Sequence, residues 1–316
     1  MKRMALGLGL KRAAVPTLAL CATLTLVTAP PASSLTARPG VPATTTAAHP
    51  FGPAAADIGT AATPAKAAVD VLPVTRSCTT SLRIRAQAMT AAQLSATCTS
   101  LTGQDGYFHR LVSDSGPVAG DKNTSLEVDV FASRADYQYY APSMFGVSTD
   151  NGGVYLEGNP AATGNQARFV AYRDDTKSAF EIKNLNHEYT HYLDGRFDLY
   201  GDYQANIATP TQWWIEGLAE YVGYGYRGVF NSQAATEAPK RTYALSTVFD
   251  NAPGNDQTRT YVWGYLAVWY MVENHPADVT KLLGYYRTGA WTAARTFLKQ
   301  TIGTRYDTDW YRWLLT

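Results

Sequence analysis

The stretch Asn186–Phe197, NHEYTHYLDGRF, constrains this chain's fold more than any other. It holds two of the five histidines, His187 and His191, four residues apart, with Glu188 directly after the first. On an α-helix, residues i and i+4 share a face, so both imidazoles reach one metal ion while Glu188 lies to the side. From there Glu188 can take a proton from water activated by the ion and pass it to a leaving amine, as metal-assisted hydrolysis requires. A catalytic zinc also needs a third protein ligand and an open position. A histidine six residues after His191 is absent, because Phe197 stands there. WWIEGLAEY instead offers Glu216, 25 residues beyond His191, with Glu220 one turn later. This spacing lets a second helix fold back against the first, so Glu216 is the expected third ligand.

The flanking composition bounds the folded part. The chain opens MKRMALGLGLKR and continues AAVPTLALCATLTLVTA, a basic segment and then an apolar run ending in small residues. That layout predicts a secretory signal peptide over residues 1–32, cleaved near Ala29–Ala32, and therefore an extracellular protein. The run is short for a membrane span and carries Pro16, which favours removal over a retained anchor. Acylation at Cys21 is disfavoured because Leu20 precedes it. Residues 33–75 are dominated by Ala, Pro and Thr and contain too few large apolar groups to offset the entropy of ordering them. They are read as a disordered leader or pro-segment, in which His49 has no role. About 240 residues remain, enough for subdomains 76–228 and 229–316 sharing a core. Their two cysteines, Cys78 and Cys98, are expected to form a disulfide worth roughly 3 kcal/mol. A net charge of +1 provides neither a basic stripe for nucleic acid nor a charge run for an anionic membrane. A monomer without a membrane partner is expected once the signal is removed.

Periodicity divides the remainder into strands followed by helices, an α+β pattern. LRIRA is a short extended piece followed by helical spacing. LEVDVFAS (126–133) alternates as a half-buried strand does, TDNGGVYLEGNP has a strand-like centre between turn residues, and RFVAYR (168–173) is another short strand. From Ser178 the period becomes helical and remains so to the end of the chain.

Three motifs in this order, DNGGVYLEGNP, HEYTHYLDGRF and WWIEGLAEY, resemble the peptidase domain of the bacterial collagenases, gluzincin zinc metalloproteases of Vibrio and Clostridium type. The similarity runs from about Cys78 to the C-terminus. It implies a thermolysin-like zincin: a small mixed sheet, an active-site helix, a glutamate helix and a helical C-terminal subdomain. It also implies Zn2+ on His187, His191 and Glu216, with Glu188 as general base and acid. Gly152 and Gly153 would help bind substrate along an edge strand, and glycines do let a second backbone approach and pair. Ca2+ would be held by Glu157 and Glu220 with backbone carbonyls after Glu157. A tyrosine of the helical half would stabilise the tetrahedral intermediate, and Tyr261 is the candidate. Collagenases of this family carry a large activator domain and usually collagen-recruiting modules, which this chain does not show. The expected substrates are therefore peptides, gelatin and collagen-like segments rather than the intact triple helix.

Plainer roles stand beside these. Glu220 also fits as the acceptor that orients a zinc-binding histidine. Glu157 fits as a strand-end carboxylate, and the glycine pair as a turn. Asp194 is expected to cap the helix or pair with Arg196, and His109 and His275 to be structural. A catalytically silent extracellular binding module and a narrow-specificity processing protease are the competing functions. The intact set His187, Glu188, His191 and Glu216 argues against the silent module.

Overall fold

In β2 (Leu82–Ala86), Leu82, Ile84 and Ala86 point to one face and Arg83 and Arg85 to the other, as the two-residue period of a strand dictates. The computed structural model describes residues 70–316. The expected signal peptide, Cys21, His49 and most of the expected leader lie outside the described residues. Ordered chain starts before the expected boundary at Arg76: Leu72 is fully buried, and β1 spans Val74–Ser77. With β3 (Leu126–Phe131), β4 (Val154–Leu156) and β5 (Ala167–Tyr172), these strands form a mixed sheet in the order β1-β2-β3-β5-β4. β2, β3 and β5 run parallel, and β1 and β4 are antiparallel edges.

One face of the sheet meets α1 (Ala91–Val112), which starts at a capping box formed by Thr90 and Gln93. The other face meets α2 (Arg134–Phe145), whose Tyr137 and Ala141 pack on Phe131, Val170 and Tyr172. β3 is thus covered on both sides and all six residues are buried, not half-buried as its alternation suggests. Its polar positions are accommodated by ion pairs: Arg83 and Arg168 reach Glu127, and Arg168 reaches Asp129. Burial still raises the Asp129 pKa to about 7, against the pull of Arg85 and Arg83. Cys78 and Cys98 are bonded, tying the start of the sheet to α1.

The expected helix from Ser178 begins only at Leu185. Asn184 is left-handed (φ 55), and an isolated bridge from Ile182 to Arg173 keeps the preceding chain extended. α3 then spans Leu185–Phe197, α4 Tyr203–Ile207 and α5 Gln212–Tyr226. There follow α6 (Ser232–Glu237), α7 (Leu245–Val248), a π-helical turn Thr258–Trp263, and α8 (Gly264–Asn274). α9 (Pro276–Tyr286), α10 (Trp291–Thr296) and α11 (Asp307–Trp313) complete the helical half. The boundary expected at 228/229 falls within one continuous apolar cluster. Leu218 and Val222 of α5 join it from one side, and Val262, Leu266 and Met271 from the other.

α5 and α8 approach so closely that a Cβ on Gly217 would lie 2.4 Å from the carbonyl oxygen of Gly264. Backbone cannot yield as a side chain can, so Gly217→Ala is expected to destabilise the fold by about 1–3 kcal/mol. Denaturant unfolding of the two proteins checks this; equal midpoints would contradict the packing.

Candidate metal centre and active site

α3 is set in place by buried amides. Gln104 of α1 donates to the Asn186 carbonyl at 2.7 Å and to Thr190 Oγ1 at 2.9 Å, and Asn186 Nδ2 donates back to Gln104 Oε1 at 2.6 Å. On the far side, α5 lies against α3 and brings Glu216 opposite the two histidines. His187 Nε2 and His191 Nε2 are 3.1 Å apart, and Glu216 Oε2 stands 3.3 Å and 3.4 Å from them. Three ligands on a tetrahedral zinc, with bonds of 2.0–2.1 Å, are separated by about 3.4 Å. The buried Glu216 Oε2 has no hydrogen-bond partner, so the atom aimed at the centre is the one left to bind a cation. Among the described residues His187, His191 and Glu216 form a group of side chains that could hold a metal ion, and its two nitrogens and one carboxylate suit zinc.

Charge confirms the coupling of the three groups. Burial works against a charged His187, yet the carboxylates of Glu216 and Glu220 outweigh it and raise its pKa well above 6.5. Burial pushes Glu216 upward, but the two imidazoles pull it to about 2. A proton on His187 and a metal ion thus compete for the same carboxylate cluster.

Glu188 occupies the side of the helix facing the sheet. Its Oε2 accepts the Tyr155 N–H of edge strand β4 at 3.0 Å. Burial raises the Glu188 pKa despite the pull of His187 and His191. Gly152 and Gly153 immediately precede β4. Gly153 has φ 131 and a would-be Cβ 3.2 Å from Ala171 Cβ, so the turn into the strand requires glycine there. Tyr261 comes from the π-helical turn, with its ring centroid 6.0 Å from that of His187. Burial, then Glu216, Glu188 and Glu220, raise its pKa, so the phenol keeps its proton.

Glu157 and Glu220 each have hydrogen-bond partners within the protein. Glu220 Oε1 accepts from His187 Nδ1 at 2.9 Å, and its Oε2 accepts from Asn231 Nδ2 at 3.1 Å. Glu157 Oε2 accepts the Tyr203 N–H at 2.7 Å, while its Oε1 faces Gly195. Asp194 departs from expectation. It is buried beneath α5 and accepts from Trp214 Nε1 at 3.1 Å, while Arg196 pairs with Asp121 at 2.8 Å. His109 bonds Asp114, and His275 stacks on Tyr306.

Two contributors lack a sequence motif. Tyr203 has its phenol oxygen 2.9 Å from Gln212 Nε2, one turn before Glu216. Asn231 lies 11 residues past Glu220, in a loop whose composition signals only a helix cap.

Because zinc must displace a proton held by this cluster, loading at pH 7 should release about one proton, and affinity should rise with pH up to the raised His187 pKa. Calorimetry in buffers of different ionisation enthalpy measures this. Binding without proton release would contradict the electrostatics.

A sequence model of the collagenase family matches residues 40–313. The microbial collagenases of Vibrio parahaemolyticus and Vibrio vulnificus are 43% and 44% identical to this chain over 256 and 253 residues. These alignments cover 79% and 78% of this chain and 30% of each relative, so the chain spans under a third of their length. Collagenase ColT of Clostridium tetani is 30% identical over 53% of this chain and 17% of its own. The match over nearly the whole folded region, together with a His-His-Glu centre facing a sheet edge, places this chain in the M9 collagenase family of peptidases.

Proposed function

We propose that this chain is a secreted zinc endopeptidase with a thermolysin-like zincin arrangement, cleaving peptides and denatured collagen. The observation that carries the proposal is the convergence of His187, His191 and Glu216 beside Glu188, itself tied to the edge strand through the Tyr155 N–H. Secretion rests on the signal-like segment of the sequence. Among the described residues no helix is long and apolar enough to cross a membrane.

When bound by His187, His191 and Glu216, zinc supplies a Lewis acid that lowers the pKa of water and polarises the scissile carbonyl. The protein's own groups do the rest. An extended substrate pairs along the edge strand β4, which the glycine turn at Gly152 and Gly153 leads into. Glu188 takes the proton of the attacking water and returns it to the leaving amine. Tyr261, kept protonated, donates a hydrogen bond to the developing oxyanion. Glu220 holds the Nδ1–H of His187, so that Nε2 is the ligating nitrogen.

A Ca2+ ion beside Glu157 belongs to the same proposal, with backbone carbonyls after Glu157 completing its ligands. Burial raises the Glu157 pKa to about 8; the Tyr203 N–H opposes this, while Asp202 and Asp121 add negative charge. A carboxylate in such surroundings is suited to a hard divalent cation.

Wild-type and Glu188→Gln chains compared on gelatin and on a quenched Gly-Pro-rich peptide test the mechanism. The variant should keep its zinc and lose roughly 10²–10⁴-fold in kcat. Equal activity, or an inactive wild type with both ions supplied, sinks the proposal. Tyr261→Phe should lower kcat by roughly 10²–10³ with little change in KM; an effect confined to KM would remove Tyr261 from the oxyanion role.

A further inference from the structure

The carboxylate behind His187 is itself held. Glu220 extends from α5 and has both oxygens occupied, Oε1 by His187 Nδ1 at 2.9 Å and Oε2 by Asn231 Nδ2 at 3.1 Å. Asn231 is 3% exposed. Its other amide atom, Oδ1, accepts the N–H groups of Gln233 at 3.0 Å and Ala234 at 3.3 Å, capping α6. These backbone donors fix which end of the amide faces which partner. With Oδ1 committed to the cap, Nδ2 has to face Glu220, because the flipped amide would set an acceptor against a carboxylate and leave two N–H groups unmet.

We propose that Asn231 is a positioning residue of the metal centre, holding Glu220 in the rotamer that presents one oxygen to His187 Nδ1. The inference rests on the zinc-peptidase reading and extends its ligand set outward, along Asn231 to Glu220 to His187. A glutamate side chain free to rotate surrenders conformational entropy each time it orients a histidine. Asn231 removes that freedom in advance. It also satisfies the second carboxylate oxygen, which would otherwise be left without a partner in a largely buried position. The helix cap on α6 and the orientation of a zinc ligand thus share one side chain.

The cap and the positioning role can be separated by experiment. Asn231→Asp keeps an oxygen for the cap, since Asp caps as well as Asn, but removes the amide donor and sets a like charge against Glu220. In the full chain it should weaken zinc affinity, measured by competition with a chromogenic chelator, by about 10-fold or more. Its thermal midpoint without zinc should fall as well, because a second carboxylate is buried beside Glu220, so affinity is compared at a temperature where both proteins are folded. Adding Glu220→Gln to Asn231→Asp restores an amide–carboxylate pair with the donor on the other partner, and should recover a substantial part of the lost affinity. Wild-type zinc affinity in Asn231→Asp would overturn the proposal. So would a double variant whose loss is the sum of the two single losses. Zinc affinity is read whether or not peptide is cleaved. A wild-type chain that binds zinc and follows this pattern yet cleaves nothing therefore counts against the peptidase reading alone, while one that binds no zinc overturns both.

Discussion

The packing of α5 against α3 is the contact on which the rest depends. It brings a carboxylate from one helix to within 3.3 Å and 3.4 Å of two imidazoles on the other, all three nearly buried. Buried charges are costly unless paired, so this arrangement persists only because the neighbouring elements hold both helices firmly. Gln104 fixes the start of α3 from α1, Trp214 ties α5 to Asp194 on α3, and α8 closes on Gly217 at backbone distance. The sheet contributes its short edge, β4, whose Tyr155 N–H meets Glu188, the carboxylate next to His187 on α3.

The centre is layered outward from these ligands. Glu220 stands behind His187 and Asn231 behind Glu220, so two elements beyond the ligand helix set the orientation of one imidazole. On the other flank, Glu157 follows the edge strand and accepts the N–H that begins α4, and Tyr203 carries that link back to Gln212 on the glutamate helix. The strand edge and the helices that carry His187, His191 and Glu216 are thereby joined through side chains.

Much of the centre was legible in the sequence because its grammar is helical. The i, i+4 histidines and a glutamate on a second helix are local patterns with a fixed geometric meaning, and the structure brings those side chains to one point. The strands are legible as short extended segments, but β3 is covered on both faces rather than one. Alternation of Glu127 and Asp129 with apolar residues suggests a solvent face, whereas arginines from β2 and β5 allow that face to be buried. α2 carries scattered tyrosines and an internal Pro142, so no apolar period announces it. Glu220 fits two roles in sequence terms, and the His187 Nδ1 contact at 2.9 Å is what favours the orienting one. The Asp194–Trp214 bond and the part played by Asn231 depend on which elements become neighbours, and no single-chain spacing encodes that.

X-ray absorption at the zinc edge of the loaded chain tests the central claim most directly. Two imidazoles and one carboxylate predict a shell of nitrogen and oxygen only, near 2.0–2.1 Å, with multiple scattering from two histidine rings and a further oxygen from solvent. A shell containing sulfur, or scattering from one ring or none, would contradict the convergence of α3 and α5 on a single metal ion.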